Sequence, residues 1–198
     1  MKKGFTLIEL LIVIAIIAIL AAIVIIAINP AEVGKEARDA KRMQDLDSLV
    51  SAINLYLTEV TYPNLCFSGR GCAAGGTCTS STTVQSSLSI FGSGSSPVPC
   101  SATVTTTTID GTGWIDVQFS ASTIGALNSL PLDPTNNASY TYAYKATNSP
   151  SLNFEIDTRL ESVKYRDNMK TDGGDRNNCP STYTENSCWY EKGTNLNL

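Results

Sequence analysis

The sequence predicts an α+β protein in which a long N-terminal helical spine packs against a small antiparallel β-sheet. An apolar run covers residues 7–28, an amphipathic stretch follows to about residue 60, and three later segments alternate apolar and polar residues. A helix repeats every 3.6 residues and a strand every two, so these patterns indicate two helical halves followed by strands. A sheet with one apolar face needs a cover, and the amphipathic half of the helix is available for it.

The composition narrows the possible functions. The chain has 198 residues, a formal net charge of -4, six cysteines and no histidine. Its length suits one domain plus an appendage. The acidic balance argues against a nucleic-acid-binding surface, which needs a basic patch. Without histidine the chain lacks the commonest general base and the commonest transition-metal ligand. We therefore expect neither a nucleic-acid-binding protein nor an enzyme.

Residues 7–28 are long enough to cross a membrane, because as a helix they extend about 33 Å. Lys2 and Lys3 precede them, so the positive-inside rule keeps the N-terminus in the cytoplasm and places the rest of the chain outside. A secretory signal peptide fits less well, since its apolar region is shorter and "AINPAE" is a poor cleavage site. A plain single-span anchor leaves Glu9 unexplained, because a carboxylate within a span costs on the order of 2–3 kcal/mol.

The stretch "KKGFTLIELLIVIAIIAILAA" resembles the class III signal and N-terminal helix of type IV pilins and type II secretion pseudopilins. In that family prepilin peptidase cuts after a glycine on the cytoplasmic side. The new N-terminal residue, usually Phe, is N-methylated, and a Glu follows four positions later. Gly4, Phe5 and Glu9 occupy these positions. The resemblance therefore implies cleavage between Gly4 and Phe5, methylation of Phe5 and a role for Glu9 in assembly.

The resemblance also explains why a carboxylate is present in the apolar run, at Glu9. Cleavage creates an ammonium group on Phe5 in an apolar environment. In a filament, Glu9 of one subunit would pair with the Phe5 ammonium of its neighbour, which would neutralise two costly buried charges. In the alternative interpretation, Glu9 lies at the level of the lipid headgroups and is hydrated.

Beyond the apolar run, Asn29 and Pro30 interrupt the helix because proline lacks the amide donor. The amphipathic half that follows is predicted to end at residues 58–61, before Pro63. Its apolar residues recur at helical spacing, at Leu46, Leu49, Val50, Ile53, Leu57 and Val60. The predicted divisions are a leader at 1–4, a transmembrane or filament-core helix at 5–30, an amphipathic helix at 31–62, a Ser/Thr/Cys-rich connecting loop at 63–112, and the sheet with a C-terminal loop at 113–198.

The strands are predicted from period-two alternation. Residues 77–108 are rich in Ser and Thr and indicate an extended connector, with one Thr-rich strand at 104–109. Three clearer strand signals follow, "WIDVQF" at 114–119, "YTYAYKA" at 140–146 and "LNFEIDTRL" at 152–160. The connections between them contain Pro, Asn and Gly, which favours an antiparallel meander of three or four strands.

The six cysteines suggest an oxidising, extracytoplasmic location. None has the paired spacing of a zinc site, and their number permits many connectivities. In pilins a disulfide bounds the C-terminal loop, so the resemblance implies a bridge between Cys179 and Cys188. The remaining four would pair among themselves in an open pattern, at Cys66, Cys72, Cys78 and Cys100.

Asp172 and Asp175 are candidate calcium ligands. The resemblance implies only that calcium binds near this region, as in major pseudopilins, because the ligand pattern of that family cannot be matched here residue by residue. The segment lacks the spacing of an EF-hand loop, and "DGGD" at 172–175 is also the composition of a plain turn. No other cofactor is expected.

These features predict a prepilin, the precursor of a structural subunit of a type IV pilus-like filament. The alternatives are a pseudopilin of a type II secretion or competence system and a membrane-anchored ectodomain. The resemblance implies prepilin peptidase, identical subunits in a helical filament, an inner-membrane platform and an assembly ATPase as partners. The subunit would be a single-pass membrane protein before assembly, and then extracellular in a pilus or periplasmic in a pseudopilus. The Ser/Thr-rich insertion and the cysteines favour the exposed pilus.

Overall fold

The computed structural model describes residues 4–65, 77–81, 101–103, 106–122, 127–137, 139–147, 150–174, 179 and 188–196. Within them the chain forms helices α1 (Leu7–Ile28) and α2 (Pro30–Glu59), and strands β1 (Thr77–Ser81), β2 (Ser101–Thr103), β3 (Ala143–Thr147), β4 (Phe154–Thr158) and β5 (Tyr190–Gly193). Two 3-10 helices span Phe119–Ala121 and Arg166–Lys170. The predicted α+β architecture, a long N-terminal helix continuing into a helix that packs on a small sheet, is confirmed.

Asn29 separates the two helices. Its backbone is left-handed, with φ 44°, a conformation that Asn adopts more readily than most residues. Pro30 then opens α2, where its missing amide donor breaks no helical hydrogen bond. The Asn29 carbonyl accepts the amide of Glu32 at 3.0 Å, which starts the second helix. The predicted interruption at residues 29–30 and the predicted end of the helix before Pro63 are both confirmed.

The amphipathic face of α2 packs on the sheet. Leu46, Leu49 and Ile53 are fully buried, together with Tyr142, Tyr144, Phe154 and Ile156 from β4 and from β3 and its approach. Burying each such side chain contributes about 1.5–3 kcal/mol. The hydroxyls of the two tyrosines also find partners, since Tyr142 donates to Asp45 Oδ2 at 2.9 Å and Tyr144 donates to the Leu65 carbonyl at 3.0 Å. The tyrosines at alternate positions therefore share the face that covers the helix.

The sheet has the order β2-β1-β3-β4-β5. All pairs are antiparallel except β1 with β2, which are parallel. Both β1 and β2 lie in the Ser/Thr-rich segment for which the sequence predicts a connector. The strand predicted at 104–109 is wrong over residues 106–109, which form no strand, and β2 lies before the predicted range, at Ser101–Thr103. Residues 104 and 105 lie outside the described residues.

The strand predicted at 114–119 is wrong. The segment makes one isolated bridge, between Asp110 and Gln118, and then enters a 3-10 helix at Phe119. Its side chains do not alternate between core and solvent, since Trp114, Ile115 and Val117 are all fully buried. Trp114 lies outside the strands and is held by a side-chain hydrogen bond, in which its indole Nε1 donates to the Pro131 carbonyl at 2.9 Å. These apolar residues fill the core beside the sheet instead of extending it.

A buried ion network joins α2 to the segments before β3 and after β4. Arg42 lies on α2 with its side chain fully buried, as is that of Asp133. Its Nε donates to Asp133 Oδ2 at 2.7 Å and its Nη2 to Asp133 Oδ1 at 3.0 Å. Its Nη1 donates to Asp39 at 2.8 Å and to Glu161 at 2.7 Å. Arg38 adds a second two-pronged contact with Glu161, at 2.6 and 2.8 Å.

Each charged side chain of the network has at least one partner of opposite charge. Burial alone would lower the pKa of Arg42, but the hydrogen bonds and charges of Asp133, Glu161 and Asp39 raise it above its ordinary value. Asp39 also accepts the backbone amides of Glu161 and Ser162, at 3.1 and 2.7 Å. A guanidinium suits this position because its rigid fork of donors can serve all three carboxylates at once. Helix α2 is therefore attached to the sheet region by charge as well as by its apolar face.

The C-terminus is held by the disulfide between Cys179 and Cys188, whose Cα atoms are 4.7 Å apart. Cys188 is buried, and β5 begins two residues later, so the bridge fixes the approach to the edge strand. The predicted pairing is confirmed. Cys66, Cys72 and Cys100 lie outside the described residues, as does the side chain of Cys78.

Replacing Arg42 with Met should lower the free energy of unfolding by about 3–5 kcal/mol, because buried carboxylates would lose their counter-charge. Lys170→Met is the matched control. Lys170 forms an exposed pair with Asp167 at 2.8 Å, so its loss should change stability by about 0.5 kcal/mol or less. Urea unfolding in detergent, followed by the fluorescence of the buried Trp114 and Trp189, measures both. Equal midpoints for the two variants would contradict the role given to Arg42.

Removing the bridge with Cys179→Ala should lower the free energy of unfolding by about 2–3 kcal/mol, since the loop it closes is short. Cys188→Ala and the double variant should lose the same amount, because any one of the three changes breaks the same bond. Additive losses in the double variant would show that the two cysteines act separately.

Candidate functional site

The three residues of the predicted processing site lie at the start of α1, within six residues of one another. Gly4 and Phe5 precede the helix and are exposed, and Phe5 is 79% exposed. A Cβ added at Gly4 would meet no atom within 4 Å. Thr6 is the N-cap residue, and Glu9 is the third residue of the helix. The cleavage and methylation roles of Gly4 and Phe5 stay predictions.

Glu9 closes a capping box with Thr6. The carboxylate Oε2 accepts the backbone amide of Thr6 at 2.9 Å and its hydroxyl at 2.6 Å. In return, Thr6 Oγ1 accepts the backbone amide of Glu9 at 3.4 Å. A carboxylate in the first turn also faces the positive end of the helix dipole. The Glu9 carboxylate is therefore bonded to the residue that follows Phe5. Cleavage would convert the Phe5 nitrogen into an ammonium group.

Sequence reasoning missed Thr6. Its signal was present, because a threonine followed three positions later by Glu, just before an apolar run, is the pattern of a capping box. The box matters chemically because it gives Glu9 a partner within its own chain. In an apolar surrounding, a carboxylate that accepts two hydrogen bonds is less costly than a bare one.

Helix α1 presents apolar side chains on all sides. Every side chain from Leu7 to Ile25 is exposed. This stretch of 19 residues is long and apolar enough to cross a membrane, the one such stretch in the described part of the chain. A helix that is apolar all round needs a bilayer or other apolar helices around it. It fits the anchor of a membrane-bound precursor.

The predicted calcium ligands are only partly placed. Asp172 Oδ2 accepts the Glu191 amide at 2.9 Å, and its Oδ1 accepts the Gly174 amide at 3.2 Å. Burial raises the pKa of Asp172 above its ordinary value, although the hydrogen bonds from these two amides act in the opposite direction. Asp175 lies outside the described residues.

A different acidic group lies next to Asp172 on β4 and β5. Carboxylate oxygens of Glu155, Asp157 and Glu191 all lie within 4.8 Å of one another, and all three residues are buried. Strand register explains their meeting, because Asp157 lies opposite Glu191. Oxygen ligands of this kind suit calcium. Calcium binding stays a prediction, and the sequence pointed to the neighbouring loop rather than to these strands.

A family model described as the prokaryotic N-terminal methylation motif matches residues 1–25. The match covers the predicted cleavage site, the capping box and most of α1. Comparisons with curated proteins and with solved structures return no match. Over its first 25 residues the chain therefore carries the class III signal peptide of type IV pilins and pseudopilins.

Proposed function

We propose that this chain is a prepilin, the precursor of a structural subunit of a type IV pilus-like filament. Prepilin peptidase hydrolyses the Gly4–Phe5 peptide bond, the new amino group of Phe5 is methylated, and the subunits polymerise through α1. The observation that carries the proposal is the methylation motif at residues 1–25, placed at the head of an exposed apolar helix. The motif alone supports a pilin-like or pseudopilin precursor. The assignment to a pilus rather than a pseudopilus goes beyond the motif.

The chemistry of the first turn supports assembly through Glu9. A methylated amine remains protonated, so the mature subunit carries a cation at Phe5. Within one chain, Glu9 already accepts two hydrogen bonds from Thr6. Its second oxygen can face a neighbouring subunit, where it would pair with that subunit's Phe5 ammonium. A subunit in the wrong register would bury both charges unpaired, so the pair would set the stagger between neighbours.

Helix α1 supplies the packing. Before assembly its apolar surface is satisfied by lipid, and in the filament by the α1 helices of other subunits. The sheet region is attached to α2 by Arg42 and its partners, so it would follow the helix into the filament. The inner-membrane platform and the assembly ATPase are the further partners we propose, with the N-terminus in the cytoplasm and the sheet region outside.

The pseudopilin of a secretion or competence system is the alternative that the same motif supports. The Ser/Thr-rich segment and the six cysteines favour a filament exposed to the medium. A membrane-anchored ectodomain would not need Gly4, Phe5 and Glu9 in this register. We propose no catalytic activity for the chain, which contains no histidine.

Gly4→Val should block cleavage, because a branched side chain adds bulk where the peptidase approaches the backbone. The substitution strains nothing within the chain, since a Cβ at Gly4 meets no atom within 4 Å. Gly34→Ala, a glycine change on α2, is the control and should be processed normally. Gel mobility of each precursor, co-expressed with prepilin peptidase, measures cleavage. Normal processing of Gly4→Val would count against the assignment.

Glu9→Ala should leave membrane insertion and cleavage intact and sharply reduce assembly, because the Phe5 ammonium would be buried without its partner. Glu9→Gln separates the two roles of the residue. Glutamine can complete the same capping box but carries no charge, so this variant should also assemble poorly. Glu36→Gln, a carboxylate removed outside the span, should assemble normally.

The measurement compares sheared filaments with the membrane pool for each variant. If Glu9→Gln fills filaments at wild-type levels, the pairing with Phe5 is wrong and Glu9 acts only as a helix cap. If Glu9→Ala does so as well, assembly needs neither the charge nor the cap.

A further inference from the structure

A short segment that follows β4 lies against the first turns of α2, next to the end of α1. The Glu32 carboxylate accepts the backbone amide of Val163. One turn further along the helix, Glu36 pairs with Lys164 at 3.3 Å. Together Val33, Val163, Lys164 and Tyr165 form what we call the juxtamembrane edge.

The position of this edge relative to a membrane follows from chain length. Glu32 is four residues beyond Ile28, the last residue of α1, which corresponds to about 6 Å of helix. The headgroup layer on each side of a bilayer is about 5–8 Å thick. If α1 spans the membrane, Val163 therefore lies within or at the top of the headgroup layer.

The exposed apolar residues are concentrated at this edge. Beyond α1, the described residues include three large hydrophobic side chains that are strongly exposed. Two of them, Val33 and Val163, belong to the edge and are 49% and 63% exposed. The third, Tyr62, follows the opposite end of α2. An exposed valine is ordinary by itself, but both of these lie close to the end of α1, because Val33 is in the first turn of α2 and the Val163 amide donates to the neighbouring Glu32.

The polar neighbours suit the same environment. The Lys164 ammonium lies 4.8 Å from the ring centre of Tyr165. Tyrosine is enriched at membrane interfaces, and lysine can extend its charge to water over an apolar stem. The charges of Lys35 and Lys164 are balanced by Glu32 and Glu36. Contact with lipid would thus depend on the apolar side chains rather than on anionic headgroups.

The edge is also held rigidly. Asp39 accepts the Ser162 amide at 2.7 Å, and the Ser162 carbonyl accepts the Arg166 amide at 3.1 Å. Ser162 Oγ accepts the Tyr165 amide at 3.3 Å. The turn that carries Val163 is therefore fixed to α2 before any lipid is met, so its exposure is built into the fold.

We propose that before assembly the juxtamembrane edge rests on the membrane surface beside the span, with Val33 and Val163 in the headgroup layer. The partner is the phospholipid bilayer itself. The contact would hold the sheet region at a defined height and rotation while the subunit waits for extraction. This inference rests on the membrane-spanning role proposed for α1.

The test is photo-crosslinking of the full-length precursor in vesicles of phosphatidylcholine alone. The photoreactive residue p-benzoylphenylalanine replaces Val163 in one variant and Ser51 in a control. Ser51 is exposed on α2, about 35 Å of helix beyond Ile28. Leu11, within the span, is replaced in a third variant. Lipid adducts at residue 163 should exceed those at residue 51 by about tenfold, and Leu11 should give strong adducts.

If Leu11 reacts with lipid and residue 163 reacts no more than residue 51, the juxtamembrane contact is wrong while the span stands. If residue 163 forms adducts with a second copy of the chain instead of lipid, the edge is a subunit contact and the proposal is overturned. If Leu11 gives no lipid adduct, the span fails, and with it both this inference and the proposed function.

Discussion

The ion network around Arg42 is the interaction on which the rest of the molecule depends. One buried guanidinium on α2 holds Asp133, which precedes β3, and Glu161, which follows β4. A buried charge tolerates little displacement, because each lost partner leaves a carboxylate or guanidinium without compensation. The apolar contacts of α2 are non-directional, whereas each hydrogen bond of the network requires one partner in one geometry. The network holds Glu161 and Ser162, and so it fixes where Val163 lies relative to the first turns of α2.

Much of the fold could be predicted because it is encoded locally. The apolar run, the Asn29–Pro30 interruption and the end of α2 each depend on neighbouring residues. The prediction for 114–119 is wrong because Ile115, Val117 and Phe119 alternate like a strand, whereas Trp114 and Asp116 on the other parity are buried too. Strand β1 was missed because "TCTSS" has no apolar alternation. The Arg42 network was also beyond sequence reasoning, since Asp133 lies 91 residues away.

The candidate site likewise contains residues that one window of sequence identifies and residues that meet only when the chain folds. Gly4, Phe5 and Glu9 lie within six residues, so a single window of sequence identifies them. The capping role of Thr6 was visible in that window and was overlooked. The acidic group of Glu155, Asp157 and Glu191 could not be found in this way, because it forms only when β4 and β5 pair in one register. On each strand its members follow apolar or aromatic residues. In the sequence they therefore resemble the polar positions of an ordinary strand with one exposed face.

The central claim is that the first residues of this chain are a processing signal and α1 is the part that polymerises. Mass spectrometry of the native N-terminus tests it most directly, in cells that contain prepilin peptidase. The account predicts a mature chain that begins at Phe5 and carries one methyl group on its amine. A chain that still begins at Met1 would contradict it, and would make α1 an ordinary membrane anchor.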